Sequence, residues 1–219
     1  MSWLRVANGK THGKHALAMI KSLFKQILDE TLRLPAATTA KMKEEMYQYI
    51  FNLTRPDYRE GKRDLIKDGN VAVSIYFLLK GNCRFYYYSK SYKQELNPFL
   101  MLSPCILAEG RSMKKNCVAR FSIEVSAGSV VYILDKAGLS AIESKYREIG
   151  ICINDLIKEQ IQDFKLWKRK LKTRSPEHRY SKLKHRRPEV EQRTAKKDIA
   201  GHLAIKIPSY SRLLKRISK

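Results

Sequence analysis

Tyr58 to Gln94, YREGKRDLIKDGNVAVSIYFLLKGNCRFYYYSKSYKQ, decides the fold class, because here helical periodicity gives way to short runs of β-branched and aromatic residues. Gly61, Asp68-Gly69 and Lys80-Gly81 punctuate those runs as turn signals, and the pattern predicts strands near 64–67, 73–79 and 83–88. Further on, Arg120–Val125 and Val130–Leu134 flank Ser126-Ala127-Gly128-Ser129, a hairpin-like pattern. The expectation is an antiparallel β-domain starting after Pro56.

Helical spacing flanks this domain on both sides. Upstream, Ile20, Leu23, Phe24, Ile27 and Leu28 mark an amphipathic helix within Leu17–Leu34 that stops before Pro35. A second helix, capped by Thr38 or Thr39, buries Met42, Met46, Tyr49 and Ile50 and runs to about Leu53. Residues 1–15 read as a loosely ordered start. Downstream, Ile142, Tyr146, Ile149, Ile153, Leu156, Ile157, Ile161, Phe164 and Trp167 fit one face of a single helix over 136–172. A helix that long leaves an apolar edge, most simply buried against the same helix of a second copy. Thr173-Arg174-Ser175-Pro176 then forms a hinge, and EHRYSKLKHRR makes a basic helix.

The last segment, AKKDIAGHLAIKIPSYSRLLKRISK from Ala195 to Lys219, reads as two short helices joined by a tight turn. Ile199 and Leu203 give the first an apolar stripe. Pro208 starts the second, whose Tyr210, Leu213, Leu214 and Ile217 face inward while Arg212, Lys215 and Lys219 face outward. Helix, turn and basic helix is an arrangement that lays a recognition helix in the DNA major groove.

Charge supports that reading. The formal net charge is +23, and Lys165–Lys219 alone carries 19 Lys and Arg against four acids, Glu177, Glu189, Glu191 and Asp198. So concentrated a field suits a polyanion and would act through counterion release. No segment approaches the roughly 20 apolar residues of a membrane span, so a cytoplasmic protein without a membrane partner is expected. Cys83, Cys105, Cys117 and Cys152 have no metal-ligand spacing, and most of them read as small buried hydrophobes. No Gly-rich phosphate loop, His-Glu-x-x-His or nucleophile elbow is present, and no enzymatic activity is expected.

With β-domain, long helix, hinge and terminal helix-turn-helix in that order, the chain resembles the Crp/Fnr family of bacterial transcription regulators over roughly residues 25–219. The likeness rests on the glycine-punctuated stretch YREGKRDLIKDGNVAVSIYFLLKGNCRFYYYSKS, the strand RFSIEV and the ending KDIAGHLAIKIPSYSRLLKRI. That ending looks like the short-tailed members typical of Bacteroidetes. The resemblance implies an α+β chain with N-terminal helices and a cyclic-nucleotide-binding-like jelly roll (a double-stranded β-helix) over 16–135, a dimerisation helix over 136–172, and an all-α winged-helix-type DNA-binding head over 173–219. It implies a homodimer on double-stranded DNA, in contact with RNA polymerase.

Residue by residue, the resemblance makes Arg212 the recognition-helix arginine that reads a guanine edge. It places Lys206 and Ser209 at phosphate-contacting positions, with Lys215 one turn beyond Arg212. The sequence departs from the family at Ile207 and Pro208, where polar residues are common, and at Ala204, where a glycine is. In the effector pocket Glu109-Gly110 matches the ribose-holding position. Ala119, however, stands where the phosphate-clamping arginine is expected, and Arg120 is displaced by one, which on a strand turns it to the other face. The expectation is a sensor that holds no cyclic nucleotide and no cofactor. The competing reading is a small-molecule sensing module whose helix-turn-helix serves protein interaction or non-specific nucleic-acid binding.

Overall fold

A computed structural model describes residues 13–57 and 59–217. Helices α1 (Gly13–Thr31) and α2 (Ala40–Leu53) come first. Because α1 starts at Gly13, the last three residues of the expected loose start are helical, while residues 1–12 lie outside the described residues. Thr39 caps α2 by accepting a hydrogen bond from the Met42 amide at 3.2 Å. Met46, Tyr47 and Ile50 form the buried face of α2. Met42, expected inside, is 47% exposed, and Tyr47 takes the inward position instead.

The strands are β1 (Arg55–Asp57), β2 (Arg63–Ile66), β3 (Ser74–Lys80), β4 (Asn82–Ser89), β5 (Gln94–Leu102), β6 (Cys105–Leu107), β7 (Ser122–Val125) and β8 (Val130–Asp135), with the short helix α3 (Gly110–Lys115) between β6 and β7. They form two antiparallel four-stranded sheets, in the orders β1-β8-β3-β6 and β2-β7-β4-β5. Leu78, Leu107 and Val131 of the first sheet meet Phe85, Ile123 and Val125 of the second inside the roll. Ile75, Phe77 and Leu134, on the outer face of the first sheet, pack under α1, α2 and the helices that follow. Buried on both faces, β3 reads as the unbroken apolar run Ile-Tyr-Phe-Leu-Leu rather than as an alternation.

The hairpin expected across Ser126–Ser129 is not one. Strand β7 pairs with β2 and β4, whereas β8 pairs with β1 and β3, so the four residues carry the chain from one sheet to the other. The β3–β4 connection crosses the same way at Gly81. There φ is +112°, and an added Cβ would lie 2.2 Å from Ser129 Oγ.

The helix expected over 136–172 is two helices, α4 (Lys136–Lys145) and α5 (Arg147–Thr173), broken at Tyr146 with φ −132° and ψ 83°. Asp135 caps α4 through the Gly138 amide at 2.8 Å. The face of α5 formed by Ile149, Ile153, Ile157 and Trp167 is buried by its own β-roll and the preceding helices, and its exposed large apolar residues are Ile151 and Leu166. The edge left for a second copy is therefore narrower than the spacing alone implies.

Beyond the hinge lie α6 (Pro176–Arg186), α7 (Pro188–Arg193), α8 (Lys196–His202) and α9 (Ile207–Ile217). Ser175 caps α6, and Pro176 occupies its first turn. Tyr180, Val190, Ile199, Leu203, Tyr210 and Leu213 make the core of this head, and Leu100 and Leu102 of β5 belong to the same cluster. The head is thus seated on the roll. No helix among the described residues is long and apolar enough to cross a membrane.

Candidate nucleic-acid interface and sensor turn

Helix α9 separates its two faces as helical spacing requires. Tyr210 and Leu213 are buried, with Tyr210 meeting Tyr180 edge-on at 5.9 Å between ring centroids. Arg212 and Lys215 are exposed on the other side. Arg212 lies along its own helix, Nε donating to the Pro208 carbonyl at 3.4 Å, and no carboxylate lies within salt-bridge distance of it among the described residues. Ser209 is half-buried at the helix start. Ile217, expected inward, is 47% exposed because the helix outruns the small core beneath it. Lys219 lies outside the described residues.

The turn between α8 and α9 takes a left-handed residue at Ala204, φ +52°, which is the position where a glycine would be relaxed. Just beyond it, Lys206 Nζ donates to the Lys93 carbonyl at the tip of the β4–β5 hairpin, 2.9 Å away. Of the four residues expected on DNA, Arg212 and Lys215 share the outer face of α9, Ser209 sits at its start, and Lys206 is turned back onto the roll.

The seam that holds the head was not visible in the sequence. At its centre is Arg84 on β4, 8% exposed, which pairs with Glu124 at 2.7 Å, Glu95 at 2.8 Å and Asp198 of α8 at 3.1 Å. Burial works against the guanidinium charge, but its hydrogen bonds to Glu124 and Glu95 and the charge of Asp198 outweigh it, and its pKa is raised. The β4–β5 register slips between Phe85 and Tyr87, leaving Asn97 and Pro98 outside the ladder. Such a bulge re-aims side chains. Asn97 uses it to donate Nδ2 to the Asp198 carbonyl at 2.8 Å, and its own carbonyl accepts from His202 Nδ1 at 2.8 Å.

Trp167 of α5 closes the seam by donating to the His202 carbonyl at 3.1 Å. Burial, reinforced by Arg187, Arg179 and Lys170 nearby, pushes the His202 imidazole down to about 4, so the ring is neutral with its proton on Nδ1. Gly201 allows the approach, since a Cβ there would stand 2.7 Å from Asn97 Nδ2. The Asp-and-His spacing in KDIAGH and the buried-arginine position in NCRFYYY were the available signals, and neither is specific.

At the sensor turn, Glu109 and Gly110 stand together and Arg120 stands apart. Glu109 is 2% exposed and its carboxylate caps α3, accepting from the Ser112 amide at 2.6 Å. Ser112, fully buried, accepts from the Ala72 amide at 2.7 Å and donates to the Cys117 carbonyl. Ala119 is buried, with its backbone bonded to Asn70 and Gly69, while the Arg120 side chain is exposed. Gly110 lies under α5: an added Cβ would meet Ile157 Cγ2 at 2.4 Å. Turn and long helix are packed directly against each other.

No family model matches the sequence, and no curated protein does. The solved structures give a consistent likeness. The c-di-GMP-responsive global regulator CLP of Xanthomonas campestris superposes with a TM-score of 0.65 at 13% identity, covering 80% of this chain and 91% of that one. A mutant of CooA from Carboxydothermus hydrogenoformans gives 0.64 at 12% identity over 86% of this chain and 87% of its own. FixK2 from Bradyrhizobium japonicum gives 0.61 at 12% identity over 75% and 83%. The chain has the fold of Crp/Fnr regulators, a cyclic-nucleotide-binding-type β-roll joined by a long helix to a helical C-terminal domain.

Proposed function

We propose that the chain is a DNA-binding transcriptional regulator that works as a homodimer, with α9 entering the major groove and Arg212 reading a base edge. The observation that carries this is Arg212 itself: an exposed guanidinium on a short helix after a tight turn, with no acid to neutralise it, in the most cationic quarter of the chain. Lys215 and Ser209 contact the flanking phosphates, and Lys206 joins them if its hold on the Lys93 carbonyl is released. Two copies joined along α5 through Ile151 and Leu166 would present two α9 helices to half-sites about one helical turn apart. Placement in the cytoplasm and contact with RNA polymerase at the promoter belong to the same reading.

The sensor turn supports a roll that binds no cyclic nucleotide. Its carboxylate and hydroxyl, Glu109 and Ser112, are spent on the turn's own backbone, and Arg120 points to solvent. A cyclic phosphate would find an alanine methyl where the fold's relatives need a guanidinium. Selection of bound sites from random duplexes tests the whole proposal. The expected result is an enriched pseudo-palindrome bound by a dimer in sedimentation. Recovery of duplexes with no shared motif would instead favour a head used for protein interaction or non-specific binding.

A further inference from the structure

A second cationic site lies away from both α9 and the sensor turn. Between the C-terminal half of α5, helix α6 and strand β5 is a cavity of about 390 Å³. Its floor is apolar, formed by Phe99, Leu100, Leu166 and Trp167. Its walls carry Lys170, Arg174, Lys182 and Arg186, all exposed, against one lining carboxylate, Asp163. No carboxylate among the described residues pairs with any of those four cations. At the back, Arg179 donates its terminal nitrogens to the carbonyls of Leu171, Arg174 and Leu203, which leaves its buried Nε without a partner.

So many like charges in one concave space repel one another, and an unpartnered buried donor costs free energy. A bound anion relieves the repulsion. A duplex backbone is met by an open basic face, whereas a concave cavity of this size with an apolar floor suits a small ligand. We propose that this cleft binds a small phosphorylated metabolite of the nucleotide class, with its phosphates among Lys170, Arg174, Lys182 and Arg186 and its base against Phe99. The cleft joins the roll, the long helix and the first helix of the head, so occupancy would fix α6 to α5 and set the angle of the head. The proposal does not depend on DNA binding.

The full chain has two tryptophans, Trp3 and Trp167. Titrating the Trp3→Phe protein with ATP, pyrophosphate and a 20-base-pair duplex, while following Trp167 fluorescence, isolates the cleft. The expected result is a saturable response to ATP, weakened about tenfold by Lys170→Gln and about tenfold by Arg186→Gln, the size expected for removing one charged hydrogen bond. Both residues are exposed and unpaired, so the two variants should melt like the parent. Arg212→Ala should keep the ATP response, which separates failure of the cleft from failure of the recognition helix. The proposal is overturned by no response to ATP, by an unchanged response in the two variants, by pyrophosphate matching ATP, or by a response to the duplex alone.

Discussion

Two buried polar clusters flank the β-roll, and they are built in opposite ways. The sensor turn is closed on itself: Glu109 and Ser112 satisfy backbone groups within a few residues and around Ala72, and none of their hydrogen bonds reaches the head. The Arg84 cluster is open across the molecule, tying β4, β5 and β7 to Asp198 of α8. The contrast indicates that in this chain the roll holds the head directly through β4 and β5, and that the turn acts on it only by packing, through Gly110 against Ile157.

The sharpest way to break that comparison is Arg84→Met. It leaves Asp198, mostly buried, without its ion-pair partner and Glu124 with Lys62 alone, and removing the central partner of such a cluster costs about 3–5 kcal/mol. Denaturant titration should show a loss of that size, and a change below about 1 kcal/mol would mean that the seam does not hold the head. Next is Gly110→Ala, whose methyl has no room beneath Ile157. Overpacking there should cost about 1–3 kcal/mol, and in Gly110→Ala/Ile157→Ala, which removes the two crowding γ-carbons, the combined loss should be smaller than the sum of the single losses if that crowding is the cause.

A pH dependence tests the seam from its other end. His202 has a folded pKa of about 4, below its ordinary value of 6.5, so the unfolded chain takes up a proton first on acidification. The stability that the neutral ring contributes is present above about pH 6.5 and is lost as pH falls through about 4. Wild-type and His202→Asn stability curves should therefore converge over that window, and parallel curves would show that the imidazole stays outside the seam. The smallest effect is expected from Ala204→Gly. Relieving a left-handed alanine at φ +52° should add about 0.5–1 kcal/mol to thermal stability, and a decrease would mean that the buried methyl beside Leu96 and Trp167 matters more than the backbone.

Local chemistry made much of the fold legible. Thr39, Asp135 and Ser175 cap helices at their boundaries, and Gly81 marks a turn between strands. What failed has physical reasons. Pro98 argues against a strand, yet β5 is an edge strand and the proline sits in a bulge, where a missing amide costs nothing. Ser126–Ser129 has the composition of a hairpin loop, and composition does not say which sheet the next strand joins. The continuous spacing from Ile142 to Trp167 hides the break at Tyr146, because α4 and α5 bury the same kind of residue on either side of it.

The candidate DNA face was legible because helical spacing alone separates Arg212 from Leu213. Arg84, Asn97 and His202 were not, because the hydrogen bonds that join them across the seam span 101 to 114 positions of the chain. The cleft between α5 and α6 was hidden for a related reason. Its cations belong to runs that read as a solvated basic face until the hinge folds them toward each other.

The central claim is that α9 reads DNA through Arg212. Mobility-shift titration of wild type and Arg212→Ala on a selected site, at two salt concentrations, tests it most directly. The account predicts a loss of about 1–3 kcal/mol of binding free energy on the selected site, with far less change on an unrelated duplex. Equal affinities of the two proteins for the selected site would contradict it.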